Sequence, residues 1–134
     1  PNSIRNYCFI LTLLIVLGCQ TSGYKWYSGT VEKAKSKAST KLILLEFYTD
    51  TDQPVMADAE TFSDLTVQSF SKSNFISLKL DANDETGNKY FKDYNCEGVP
   101  HLLFVDDKGN EVDRIIGYLP PSEYLARIQD IRNN

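Results

Sequence analysis

The residues able to do chemistry are few. Three cysteines (Cys8, Cys19 and Cys96) and one histidine (His101) are the only thiols and imidazole in the 134-residue chain. A structural zinc site takes four clustered ligands and a catalytic one takes three and a water, so a dedicated zinc site is excluded. Carboxylates are denser: Asp50, Asp52, Asp58 and Glu60 crowd one short stretch. Such a group could attract a hard cation such as calcium, but the alternating ligand positions of a calcium loop are missing. It reads instead as a solvated acidic rim that repels acidic peptides and favours basic ones. No metal and no cofactor is expected. His101 reads as a packed or hydrogen-bonded residue rather than a catalytic base. Cys96 reads as a small buried hydrophobe. It becomes a one-thiol site only if exposed and activated, and Asp93 and Glu97 nearby would raise its pKa.

The other two cysteines belong to the first segment. Residues 8–18 form an uncharged apolar run behind Arg5. It is shorter than the roughly 20 residues that span a bilayer, and it fits the apolar core of a secretory signal. The tetrapeptide Val16-Leu17-Gly18-Cys19 resembles the bacterial lipobox. That resemblance implies cleavage before Cys19 and lipidation of its thiol. An ordinary signal or anchor, or a buried helix, are the other readings of the run. The expected organisation is a lipoprotein-type signal over 1–18, a short tether over 19–25 and one domain over 26–132. Loss of Arg5 with the signal takes the net charge from −4 to −5. So acidic a chain lacks the basic surplus of a nucleic-acid binder. With Cys8 and Cys19 assigned, Cys96 has no intramolecular partner, although export leads to an oxidising compartment.

The elements that must position these groups follow from periodicity. At 42% hydrophobic and 12% aromatic residues, the chain can bury a core. Thr30 can cap a helix over 31–38, with Trp26 and Tyr27 expected to pack beneath it. Lys41 to Tyr48 is a near-continuous apolar run, as in a strand buried on both faces. Pro54 suits the first turn of a helix to about Phe62, and 64–71 reads as a second short helix. Phe75 to Leu80 alternates like a strand. Asp84 can cap a helix over 85–95. His101 to Val105 and Val112 to Gly117 read as strands joined by a turn at 106–110, with Gly109 at positive φ. Pro120 and Pro121 start a last helix with Tyr124, Leu125, Ile128 and Ile131 on one face. Strands alternating with helices are expected to pair in parallel, with the final hairpin adding an antiparallel edge. The fold class is α/β, a central mixed four-stranded sheet flanked by helices.

Four segments carry a family resemblance over residues 26–132: Leu45-Glu46-Phe47-Tyr48-Thr49-Asp50, Glu60-Thr61-Phe62-Ser63-Asp64, Gly98-Val99-Pro100, and Gly117 to Leu125. In order and spacing they resemble the thioredoxin-like superfamily. The likeness runs to the C-terminal periplasmic domain of the thiol-disulfide interchange protein DsbD and to small exported thioredoxin-like lipoproteins. The resemblance implies a thioredoxin fold, a cis-proline at Pro100 and a buried acid at Glu46 behind the active site. It also implies a loop at Val99–Pro100 whose backbone pairs with a substrate strand. Glu46 as an ordinary strand-end acid, and Val99–Pro100 as scaffold geometry alone, are the competing readings. A Glu46 buried without a partner would have a raised pKa.

The departure lies at the dithiol. The family places Cys-x-x-Cys after the first strand, whereas this chain has Thr51-Asp52-Gln53-Pro54-Val55. Aligned from the strand, Asp52 and Val55 replace the cysteines. Aligned backwards from Thr61-Phe62, Thr51 and Pro54 do, and the helix is one residue short against the family. An Asp cannot attack a disulfide usefully and a Val cannot resolve one, so dithiol exchange is excluded for this chain alone. The expected function is a redox-inactive, membrane-tethered module in the bacterial periplasm or cell envelope. It would bind a protein or extended peptide at Thr51, Asp52, Gln53, Pro54, Val99 and Pro100. The enzyme alternative is a thiol-disulfide oxidoreductase by descent, with its dithiol lost or removed, or with one-thiol exchange through Cys96. A third reading gives the domain no partner groove.

Overall fold

A computed structural model describes residues 23–50 and 54–134, with side chains in the helix after the gap described from Ala59 onward. The signal segment, Cys19, Thr51, Asp52 and Gln53 lie outside the described residues. Of the degenerate motif only the backbone of Pro54 and Val55 is described, opening a helix.

The elements run α1 (Val31–Lys37), β1 (Leu42–Tyr48), α2 (Pro54–Ser63), α3 (Leu65–Asn74), β2 (Phe75–Asp81), α4 (Glu85–Asp93), β3 (His101–Val105), β4 (Glu111–Ile116) and α5 (Pro121–Asn133). Local chemistry sets several boundaries. The side chains of Thr30, Asp64 and Asp84 accept from backbone amides of the first turns of α1, α3 and α4, satisfying donors that have no partner within the helix. The second short helix runs three residues beyond its expected end, to Asn74. α4 stops two residues early because Asn95, at φ 52, turns the chain out of helical geometry.

The four strands form one sheet in the order β2-β1-β3-β4. β1 and β2 are parallel, with Leu42 opposite Phe75 and Tyr48 opposite Asp81. β3 is antiparallel to both β1 and β4. The expectation that helix-separated strands pair in parallel therefore fails for β3, and the path after α4 explains it. At the end of α4 the Tyr94 hydroxyl donates to the Gly109 carbonyl in the β3–β4 turn, at 2.7 Å. Six residues later Pro100 lies at the opposite end of β3, its carbonyl accepting from the Gly117 amide at 2.9 Å. The chain doubles back through Asn95 and Gly98, both at positive φ, and enters β3 from the end at which β1 leaves the sheet.

Side-chain alternation divides the core. Ile43, Leu45, Phe47, Leu103 and Val105 join Val31, Ala34 and Leu78 on one face, beneath α1 and α4. Leu44, Leu102 and Phe104 join Val67, Tyr124 and Ile128 on the other, beneath α2, α3 and α5. Trp26 and Tyr27 do not pack together beneath α1. Trp26 bridges to Ser77 beside β2, and alternation sends the two rings to opposite faces. Tyr27 packs on the α1 side, while Trp26 joins Tyr24 and Phe62 on the other.

Candidate functional site

β1 carries its C-terminal residues to one end of the sheet, where the chain passes into α2. Pairing Phe47 with His101 brings the Val99–Pro100 loop alongside Tyr48 at that same end. The Val99–Pro100 peptide is cis; Pro100 is buried and Val99 half-buried. The far end of α2 is pinned to the segment before α5. Thr61 Oγ1 donates to the Leu119 carbonyl at 2.7 Å, Tyr118 donates to Glu60 at 2.9 Å, and Phe62 packs edge-on against Tyr124 at 5.7 Å. Thus Glu46, the start of α2, Val99 and Pro100 are gathered at one pole of the sheet.

Glu46 is wholly buried. It sits between Lys79 on β2 and Leu102 on β3 in register and lies on the α2 face by strand alternation. It borders a cavity of about 360 Å³ that Tyr24, Trp26, Tyr48, Phe62 and Lys79 also line. The Lys79 ammonium lies 5.0 Å from the Trp26 ring and 5.6 Å from the Tyr48 ring, so two aromatic faces hold it. Burial is the main cause that pushes the Tyr24 hydroxyl up to about 12. The nearby Ser71 hydroxyl and the hydrogen bond to Ser77 oppose the rise and the Glu46 charge adds to it. Burial also raises Tyr48, helped by Asp81, Asp50, Asp84 and Glu46. Sequence reasoning missed this aromatic surround of Glu46. The period-2 alternation of β1 placed Tyr48 on that face, but nothing local announced that Tyr24 and Trp26 would wrap round from the β2 edge.

Cys96 lies elsewhere. It is buried in the core on the α1–α4 face, the opposite side of the sheet from the cavity beside Glu46. Its thiol is pushed up, chiefly by burial, with Glu111 adding and Arg114 opposing. The expected direction holds, but the cause differs from the one given to Asp93 and Glu97. The side chain folded over this loop is Arg114 of β4, which carries Glu111 with it.

Arg114 is a second residue that the sequence did not single out. It donates to the Tyr94 carbonyl at 2.9 Å and to the Asn95 carbonyl at 3.4 Å, and pairs with Glu111. Its Nη1 is also 3.4 Å from His101 Nε2, while His101 Nδ1 is 3.2 Å from the Glu97 carbonyl. A guanidinium only donates and a carbonyl only accepts, so the proton belongs on Nδ1 and the ring is neutral. Burial first, and then Arg114, lowers the His101 pKa. His101 is therefore a packed, hydrogen-bonded brace for the loop that carries Pro100. Asp50 and Glu60 are exposed, and among the described residues no three His, Cys, Asp or Glu side chains gather as metal ligands.

The family model for a thioredoxin-like domain matches residues 29–132. The thiol:disulfide interchange protein TxlA of Synechococcus elongatus is 29% identical over 138 residues, covering 96% of this chain and 71% of that protein. Among solved structures, the DsbH oxidoreductase superposes with a TM-score of 0.72 at 16% identity, over 83% of this chain and 85% of that one. The oxidised C-terminal domain of DsbD from Neisseria meningitidis superposes at 0.59 and 20% identity, over 74% and 87%.

Proposed function

Because the chain belongs to the thioredoxin-like family, we propose that it is a member whose dithiol site has become a thiol-free groove for an extended peptide. The observation that carries this reading is the lack of any cysteine between Tyr48 and Cys96. The cysteine that remains in the domain is buried under the other sheet face. Without a thiolate to attack and a second thiol to resolve, disulfide interchange has no electron route through this site. What survives is backbone beside Val99 and Pro100, where a strand could add. The exposed Asp50 just after β1, followed in the sequence by the acidic Asp52, Asp58 and Glu60, favours a basic peptide there.

The same proposal includes export and tethering. The apolar run, the Val16–Cys19 motif and relatives named for thiol-disulfide interchange support an exported domain held to a membrane by lipid on Cys19. Mass spectrometry of the membrane fraction should find that lipid on Cys19. An unmodified Cys19 there removes this part of the proposal.

Those relatives' names also support the second reading, an oxidoreductase by descent. Reductant-driven insulin reduction separates the two, run on the chain carrying Cys8→Ser and Cys19→Ser. The binding reading expects this protein to be inert and Asp52→Cys/Val55→Cys, or Thr51→Cys/Pro54→Cys in the other register, to confer activity. Turnover that Cys96→Ser abolishes would establish the enzyme reading instead. A peptide array then tests the groove: Asp50→Lys, at an exposed position, should weaken capture of basic peptides while leaving the urea midpoint nearly unchanged.

A further inference from the structure

Lysines from four separate segments converge on one cavity. It measures about 390 Å³, with Trp26, Phe75 and Ile76 among its walls and Lys25, Lys37, Lys41 and Lys72 around them. Lys25 lies just ahead of Trp26, Lys37 closes α1, Lys41 precedes β1 and Lys72 sits in the last turn of α3. No acidic side chain lines this cavity, in a chain whose net charge is −4. Among the described residues the ion pairs use other cations. Lys41 instead donates to the Lys72 carbonyl at 3.1 Å, and the Lys37 ammonium lies 5.7 Å from the Tyr27 ring. Gathering cations without counter-charges raises the local potential, and that repulsion is relieved when an anionic surface arrives.

We propose that this face docks on anionic phospholipid headgroups of the bilayer to which Cys19 tethers the domain. The inference rests on the tether reading given above. Two arguments favour a lipid surface over other anions. Lys25 is six residues from Cys19, and a chain extends by at most about 3.6 Å per residue, so the cavity's rim stays within roughly 20 Å of the anchor. Trp26 and Tyr27 both border the cavity at the β2 edge, although their rings turn to opposite sheet faces; half-buried amphipathic aromatics settle at a membrane interface, and lysines beside them are drawn to anionic headgroups. Lys41 and Lys72 precede β1 and β2, whereas Val99 and Pro100 lie near the other end of β1. A seven-residue strand spans roughly 20 Å, so docking through the lysines points the peptide groove into solvent.

Trp26 is the sole tryptophan and reports on the face directly. The protein purified from membranes, beginning at Cys19, is mixed with vesicles of neutral phospholipid, or of neutral phospholipid with phosphatidylglycerol, each doped with a headgroup-nitroxide lipid. Flotation reads attachment and Trp26 quenching reads orientation. The expected result is flotation on both vesicles, with stronger quenching on the anionic one. That extra quenching should disappear at high salt and in Lys25→Gln/Lys37→Gln/Lys72→Gln, which leaves the Lys41 bond to the Lys72 carbonyl in place. Each lysine is expected to change the headgroup-bound population roughly fivefold, so the triple variant should lose roughly a hundredfold. Inorganic phosphate at matched ionic strength should not compete; if it does, the cavity is an anion site and the bilayer proposal falls. Flotation on both vesicles with equal quenching overturns the lysine surface and leaves the tether standing. Flotation on anionic vesicles alone supports the surface and overturns the tether. Flotation on neither overturns both.

Discussion

Cys96 decides between a binding module and a residual thiol enzyme, and its reactivity follows from its surroundings. The folded thiol lies above its ordinary value of 9.0, because burial outweighs the favourable field of Arg114. At pH 7 at most about one thiol in a hundred is then the reactive thiolate. Access compounds this, since Cys96 is only 8% exposed and its amide donates to the Phe91 carbonyl at 2.9 Å, holding it against the end of α4. Alkylation of the native protein therefore runs through a small ionised fraction and a local opening of the loop. In a Cys8→Ser/Cys19→Ser background, iodoacetamide should label Cys96 roughly tenfold or more slowly in the native protein than in urea. Between pH 7 and pH 8 the native rate should rise about tenfold, because both lie below the ionisation midpoint. Arg114→Gln removes the one opposing charge and should move the thiolate absorbance to still higher pH. A native rate equal to that in urea, or one that levels off below pH 8, would refute the reasoning and return Cys96 to candidacy as a nucleophile.

Two further outcomes test the packing around the site. His101 has a folded pKa below 6.5, so the unfolded chain binds its proton more readily. Its contribution to stability is complete above about pH 6.5 and is lost as the pH falls through the lowered folded value, with a slope of at most about 1.4 kcal/mol per pH unit. Urea midpoints across this range should show the fall, and His101→Gln should flatten it; an unchanged profile would count against the buried neutral ring. Gly87→Ala should destabilise the protein although alanine favours a helix interior by about 1 kcal/mol. The added Cβ would meet the Asp81 carbonyl oxygen at 1.8 Å, and overpacking of this kind costs about 1–3 kcal/mol or more; a higher urea midpoint for the variant would show that the turn yields.

Much of the frame is written locally. The apolar run of β1, the caps at Thr30, Asp64 and Asp84, Pro54 at the start of α2 and Gly109 in the hairpin each act within a few residues of themselves. They are legible because capping, turn geometry and strand alternation are short-range effects. The missing dithiol is equally plain, since absence of a residue type needs no coordinates. The site was legible only in part. Glu46, Val99 and Pro100 stood out through their motifs, whereas Arg114 and Lys79 carry no mark in the sequence that separates them from other surface cations.

What the sequence determined by itself is therefore the succession of elements, the thioredoxin-like class and the absence of a Cys-x-x-Cys pair after the first strand. Tertiary structure decided which surfaces those elements share. It turned β3 antiparallel at the centre of the sheet, split Trp26 from Tyr27, and put the charge of Arg114 rather than that of Asp93 beside Cys96. It also drew four lysines from separate segments round one cavity. The physical reason is range: hydrogen-bonded turns and periodicities act between neighbours along the chain. Burial, charge and shared walls act between residues that become neighbours only when the sheet closes.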